Sequence, residues 1–361
     1  VERDWLPEID TYIGEAFLSN KPQFVNDTRN ITKPISREIM ENEGIRSFAH
    51  VPIATEGDKP LGMLSVFSQS IVGMFTQPFL RLLGSLAGQL AQAVKIERER
   101  EAKERERRGK EEALLENARV TRDMELARQI QLSLLPSEPP DIPGLSLASR
   151  CLPAAHVGGD YFDFFQRGES LLDVVIADVS GHSVGAALIM VETRSVLRAQ
   201  AQIAGSASSI LTVLNKLLYD DLTSAELFIS MFYATFDRSS KLLTYASAGH
   251  NQPLLVRSGT GICEELDAEG LIIGVRPEVV FEEKKISLVS GDVVVFYTDG
   301  VTETSRGDGE LFGLERLSEL VASLRESDTA SILEGILDAA KTFGEGNAFI
   351  DDVSLVVMKV D

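Results

Sequence analysis

Four prolines within eight residues, Pro136, Pro139, Pro140 and Pro143, end a stretch from Lys95 to Leu135 that contains none. Proline lacks a backbone donor and drives the residue before it out of helical geometry, so a helix reaching Leu135 must stop there. The chain of 361 residues is thereby divided into residues 1–94, a helical connector over 95–135, and a C-terminal domain over 145–361.

The connector opens with IEREREAKERERRGKEE, a charge run whose ordinary meaning is a solvated helix. Further on, Ala113, Asn117, Val120, Met124, Ala127, Gln131 and Leu134 alternate in steps of four and three, a polar heptad seam. Such a seam pairs with a second copy only with help from neighbouring domains, and Gly109 offers a point of interruption. A monomeric spacer is the other reading of the same pattern.

Residues 145–361 are dense in short strands. Expected strands are Leu145 to Cys151, Tyr161 to Gln166, Leu171 to Ala177, Ile229 to Asp237, Leu242 to Ala248, Pro253 to Arg257, Lys284 to Leu288, Val293 to Thr298 and Val353 to Val360. Helical patterns over 184–203, 208–222, 313–325 and 329–343 fall in pairs between them, which predicts a sandwich with helices on both outer faces.

Acidic residues recur at the strand ends. Asp178 closes the apolar run Val174 to Ala177, Asp299-Gly300 follows Val293 to Thr298, Asp351-Asp352 precedes Val353, and Gly158-Gly159-Asp160 precedes Tyr161. One aspartate at a strand end is ordinarily a turn or cap residue, but four such places predict convergence on one site. Ligands that offer only oxygen suit Mg²⁺ or Mn²⁺. Zinc is a poor fit, since the four His are scattered and Cys151 and Cys263 are far apart. Two ions sharing one carboxylate activate a water and clamp a phosphoryl oxygen, so the pattern points to phosphate hydrolysis.

A formal charge of −20 argues against a phosphate-backbone binder, and no apolar run approaches the roughly 20 residues of a membrane span. No signal-peptide pattern follows Val1, so a cytoplasmic location is expected.

In residues 1–94 a hairpin is expected over Ile45 to Phe67, turning at Glu56-Gly57-Asp58-Lys59-Pro60, followed by an amphipathic helix from Thr76 to Val94. With Ile13-Gly14-Glu15-Ala16-Phe17, Pro22, Val25-Asn26-Asp27, the strand Ser47 to Ile53 and Gly62-Met63-Leu64-Ser65-Val66, this part resembles the latter two thirds of a GAF sensory domain. The resemblance implies an α/β/α sensor fragment and a small-molecule ligand.

The later motifs occur in a recognisable order: LARQIQ at 126–131 with LLP at 134–136, VGGDYFD at 157–163, ADVSGH at 177–182, SAGHN at 247–251, FYTDGVTE at 296–303 and DDVS at 351–354. Together they resemble the metal-dependent 2C-type (PPM) serine/threonine protein phosphatases, in the bacterial SpoIIE-like branch. The implied fold class is α+β, with a β-sandwich flanked by helix pairs (α/β/β/α). The implied cofactors are two Mn²⁺ or Mg²⁺ ions. Asp178 corresponds to the bridging carboxylate, Val179 to a backbone carbonyl ligand, and Asp160, Asp299 and Asp351 to the remaining carboxylates, with Asp352 as the alternative to Asp351. The implied catalytic set is Asp178, Asp160 and Asp299. The implied substrate is a phosphoserine or phosphothreonine protein, in this branch typically a small anti-sigma-factor antagonist in a partner-switching pathway, and the layout implies a homodimer through the connector.

Ser183 stands where the family usually has glycine, and Ser180 where eukaryotic relatives have an acid-donating histidine. His182 and His250 therefore read as hydrogen-bonded structural residues, and no phosphate-gripping arginine is identified, Arg150 and Arg194 being the nearest to the motifs. A docking module that captures a phosphorylated partner without hydrolysing it is the competing reading. A sensor kinase is excluded because no nucleotide-cradling glycine loop appears.

Overall fold

The computed structural model describes residues 10–55, 57–181, 183–203, 205–346 and 349–361. Glu56 and His182 lie outside them. By internal contacts the chain forms two compact units, Val1–Asn117 and Ala118–Asp361.

In the first unit, α1 (Tyr12–Ser19) and β1 (Gln23–Val25) are followed by α2 (Pro34–Asn42), β2 (Ser47–Ile53) and β3 (Gly62–Ser68). Thr11 caps α1 by accepting from the Gly14 amide at 3.0 Å, and Pro34 opens α2, where its missing donor costs nothing. The expected hairpin is β2 paired with β3, Ser47 opposite Ser68 through Ile53 opposite Gly62, with β1 antiparallel on the other side of β2. Ala49 and Val51 bury against Phe75, Leu80, Leu83 and Ala87. Phe48 packs with Ile31 and Met40 in a smaller cluster.

Helix α3 (Gln77–Leu134) runs for 58 residues without a break, and Gly109 lies inside it rather than interrupting it. Its charged middle supports itself through ion pairs one turn apart, Glu104 with Arg108 and Glu106 with Lys110, each worth about 0.2–0.5 kcal/mol. The seam residues Ala113, Asn117 and Val120 are exposed, whereas Gln131 is buried inside the second unit, so the seam does not continue to the helix end as the spacing suggested.

The second unit carries β4 (Leu145–Leu152), β5 (Tyr161–Arg167), β6 (Leu171–Val179), α4 (Val184–Gln200), α5 (Ala207–Ala225), β7 (Ile229–Asp237), β8 (Leu242–Ala248), β9 (Leu254–Val256) and β10 (Cys263–Glu265). It ends with β11 (Lys284–Ser287), β12 (Val293–Tyr297), α6 (Asp299–Thr302), α7 (Gly313–Leu324), α8 (Thr329–Phe343) and β13 (Val353–Val360). Two antiparallel five-stranded sheets result, ordered β10-β9-β12-β13-β4 and β11-β8-β7-β6-β5. Alternation along each strand sorts the residues into layers. Leu172, Val174 and Ile176 of β6 and Phe232, Ala234 and Phe236 of β7 face the other sheet, meeting Val294, Phe296, Val356 and Met358. Val175, Ala177, Met231 and Tyr233 face outward under α4 and α5. On the opposite side, Val295, Leu355 and Val357 pack under α7 and α8. This is the expected α+β sandwich with a helix pair on each outer face.

Within β5, Asp163 points to the α4 side. It is 1% exposed and accepts from the Tyr161 hydroxyl at 2.7 Å and from Arg198 Nε of α4 at 2.8 Å, so the strand and the far end of the helix are tied by a buried charge with satisfied partners.

Candidate metal centre

Asp178 and Ser230 are direct cross-strand partners, and both continue the face of their strands that looks between the sheets. The apolar inter-sheet layer thus ends, at this edge, in polar groups. Asp160 lies just before β5, Asp299 opens α6 beyond β12, and Asp351 and Asp352 immediately precede β13. Four strand ends deliver five carboxyls to one end of the sandwich.

Their mutual influence shows in their protonation. Burial, then the Asp178 and Asp352 charges, raises Asp160 well above the ordinary carboxyl range. Asp178 is pushed up to about 7 by burial and by the charges of Asp299, Asp351 and Asp352. Asp299 is raised by burial, then by Glu303 and Asp351. Like charges gathered in a partly dry site disfavour ionisation, and a cation among them removes that penalty.

The surrounding chain holds these groups by hydrogen bonds that the sequence did not announce. The Thr298 hydroxyl donates to Asp160 at 2.8 Å and accepts from the Ser354 amide at 2.9 Å. Asp352 has both oxygens engaged, accepting from the Ala154 amide and the Gly159 amide, each at 2.8 Å. Asp351 stays half-buried, its Oδ1 accepting only from the next residue's amide. Gln131 at the end of α3 grips Gly158 from both sides, donating to its carbonyl at 2.7 Å and accepting from its amide at 3.0 Å. Arg194 donates to the Leu134 carbonyl and so finishes the same helix end, and Arg150 pairs with the exposed Glu334. Glycine is required at 158 and 159: an added Cβ would lie 2.1 Å from Asp352 Oδ2 at the first and 2.3 Å from the Val179 carbonyl oxygen at the second.

Among the described residues no three acidic, His or Cys side chains already close around a single point at ligand distance. The donor set nevertheless fits a hard divalent ion. Every group is an oxygen, the carboxyls are crowded with no basic group set against them among the described residues, and the Val179 carbonyl sits in a cradle that only glycine leaves open. Mg²⁺ keeps several waters and takes one or two protein carboxylates, so dense protein ligation is unnecessary. Ser180, at the position of the acid in eukaryotic relatives, accepts from the Phe228 amide at 3.0 Å and is part of the turn.

The sequence pattern of stage II sporulation protein E (SpoIIE) matches residues 168–361, more than half of the chain. The chain belongs to the SpoIIE family. A GAF-domain pattern matches residues 3–95 of this SpoIIE-family chain, which therefore joins a GAF domain to a 2C-type (PP2C) protein serine/threonine phosphatase domain, a metal-dependent class using Mg²⁺ or Mn²⁺. It is 28% identical to the phosphoserine phosphatase RsbU of Bacillus subtilis over 66% of its own length and 70% of that protein. Among solved structures, the RsbU and RsbW domains of a Mycobacterium tuberculosis protein share 27% identity over 61% of each chain, with a TM-score of 0.53. The PP2C domain of SiaA from Pseudomonas aeruginosa shares the fold at 18% identity, with a TM-score of 0.61 over 68% of this chain and 98% of that one. The SpoIIE-family chain spans 70%, 41% and 58% of the length of three curated relatives it matches.

Proposed function

We propose that this protein hydrolyses phosphoserine or phosphothreonine on a protein substrate, a small anti-sigma-factor antagonist of a partner-switching pathway, using two Mn²⁺ or Mg²⁺ ions under the control of its GAF domain. The observation that carries the reading is the crowding of Asp160, Asp178, Asp299 and Asp351 from four strand ends, where burial and neighbouring carboxylate charge raise the pKa of Asp160, Asp178 and Asp299. Asp178, the Val179 carbonyl, Asp160, Asp299 and Asp351 would hold the ions, with Asp178 the carboxylate that both would share. Asp352 has both oxygens spent on backbone amides and serves the loop, which favours Asp351 as the ligand of the pair. When bound, the ions supply an activated water and offset charge on the phosphoryl oxygens.

The chain's own groups orient. Thr298 fixes the Asp160 carboxyl, Asp352 draws the 154 and 159 amides together, and Gln131 holds the Gly158 peptide. With Ser180 committed to its turn, solvent protonates the departing seryl oxygen.

The sensor reading is supported by a cavity of about 600 Å³ in the first unit, lined by Ile13, Ile39, Met40, His50, Phe67 and Gln69, a size suited to a small molecule. His50 there is held neutral by burial, its pKa lowered to about 4, with Nδ1 bonded to Ser65. Leu82, Leu86, Leu90 and Val94 form an exposed apolar row on α3, which a second copy would cover in a homodimer. No helix among the described residues is long and apolar enough to cross a membrane. The site is proposed to work in the cytoplasm.

Phosphate release from a phosphoserine peptide, with and without Mn²⁺, compared between the native chain and Asp178→Asn, tests the reading. Metal-dependent turnover lost in the variant supports it. Turnover that survives in Asp178→Asn refutes the site.

A further inference from the structure

His250 is the one imidazole of the second unit buried among the described residues, and nothing in the phosphatase reading uses it. It follows β8 in a turn set by Gly249, which has a φ of +67° and lies so close to Ile272 that a Cβ would stand 2.6 Å from its Cγ2. The His250 amide donates to Ser247 Oγ at 3.2 Å, so the ring's entry is fixed from behind. The side chain is 5% exposed, and burial holds its pKa down to about 4, a neutral ring. Nδ1 lies 2.8 Å from Ser230 Oγ. On its other side the Tyr297 main chain draws on the ring, while Nε2 is buried without a partner at full hydrogen-bonding geometry.

Those two neighbours belong to different sheets. Ser230 is the cross-strand partner of Asp178 on the same face of its sheet. Tyr297 ends β12 in the other sheet, directly before Thr298, which holds Asp160, and Asp299. The imidazole therefore stands between the strand ends that carry three of the proposed ligands. A buried polar ring with one nitrogen fully bonded and the other lacking a partner at full geometry is costly as mere packing, since an apolar side chain would fill the same place without an incompletely paired polar atom.

Building on the metal site proposed above, we infer that His250, acting through Ser230 and the Tyr297 main chain, is a positioning residue that sets the spacing between Asp178 on one sheet and Asp160 and Asp299 on the other. Groups behind carboxylate ligands orient them, and their removal commonly weakens metal binding by about 10- to 100-fold.

The test is Mn²⁺ binding to the full chain by titration calorimetry without substrate, for native protein, Ser230→Ala, Ser230→Thr, His250→Gln and the Ser230→Ala/His250→Gln pair, with thermal unfolding in EDTA measured alongside. The expected result is about tenfold or greater weakening in Ser230→Ala and His250→Gln, recovery in Ser230→Thr, and a double variant no weaker than the worse single one. Native Mn²⁺ affinity in Ser230→Ala overturns the inference even if its unfolding temperature falls, because that is the pattern of a residue that only packs. Fully additive losses in the double variant overturn it as well. Native protein that binds no Mn²⁺, or Asp178→Asn that binds it unchanged, overturns the metal site and this inference together, and so is told apart from a failure of His250 alone.

Discussion

Replacing each half of the Asp351-Asp352 pair by alanine should give opposite phenotypes. Asp352 accepts two backbone amides at 2.8 Å, from Ala154 and Gly159, and is 4% exposed. A hydrogen bond to a charged acceptor contributes about 1.5–3 kcal/mol, and its loss here leaves two donors unsatisfied. Burial and the Asp351 charge, which raise the Asp352 pKa, work against that gain and place the expected loss at the lower end, about 3 kcal/mol for the pair. With a urea dependence of about 3 kcal/mol per molar, the unfolding midpoint of Asp352→Ala in EDTA should fall by about 1 M, followed by circular dichroism. Asp351 is half-buried and bonds only its neighbour's amide, and its charge repels Asp178 and Asp299. Asp351→Ala should keep its metal-free unfolding free energy to within about 1 kcal/mol yet bind Mn²⁺ weakly. Equal destabilisation by the two substitutions, or unchanged Mn²⁺ affinity in Asp351→Ala, would refute this division of labour.

Metal-free stability should fall as pH rises from about 4 towards 7. The raised pKa values of Asp160, Asp178 and Asp299 make the folded state bind more protons than the unfolded chain across that window, so deprotonation favours unfolding, and thermal scans in EDTA against scans in Mn²⁺ should show the slope flattening with metal. Gly159→Ala places a Cβ 2.3 Å from one backbone oxygen and 3.2 Å from another, so it should cost about 1–3 kcal/mol and weaken Mn²⁺ binding; a native-like melt and affinity would contradict the close approach. Gln131→Ala leaves both polar groups of the buried Gly158 peptide without their partner, and a loss of about 1–3 kcal/mol should appear in urea unfolding. Proline at Ala118 breaks α3 at a cost of about 3 kcal/mol and should uncouple the GAF domain from phosphatase activity; regulation that persists in that variant would sink the proposed control.

Much of the second unit is legible in its sequence because its strands bury both faces. Ile229–Asp237, Leu242–Ala248 and Val353–Val360 stand out as continuous apolar runs with the bounds the sequence suggested. The three-residue β10 carries two glutamates and no alternation, so nothing marked it. The acidic strand ends were visible as a recurring pattern. What the sequence withholds is the use of each acid. Asp351 and Asp352 differ by one position, and in extended chain one residue is enough to change which neighbours a side chain meets. Gln131 fell on a heptad position, yet its partner is a glycine peptide, and a backbone group leaves no trace in residue identity. Thr298 and Ser230 are small hydroxyl residues at strand edges, silent until the opposite strand is in place.

The tie between Asp163 and Arg198 has a consequence for how damaged variants would behave. Asp160 and Asp163 sit three residues apart at the start of one strand and face opposite sides, one towards the acidic centre and the other towards α4. An inactivation screen would score substitutions at either position alike. Loss of Asp163 leaves the buried Tyr161 hydroxyl and the exposed Arg198 guanidinium without their acceptor, a lesion of folding that growth at lower temperature would relieve. Loss of Asp160, a proposed metal ligand, should instead be a lesion of chemistry that lower temperature does not restore.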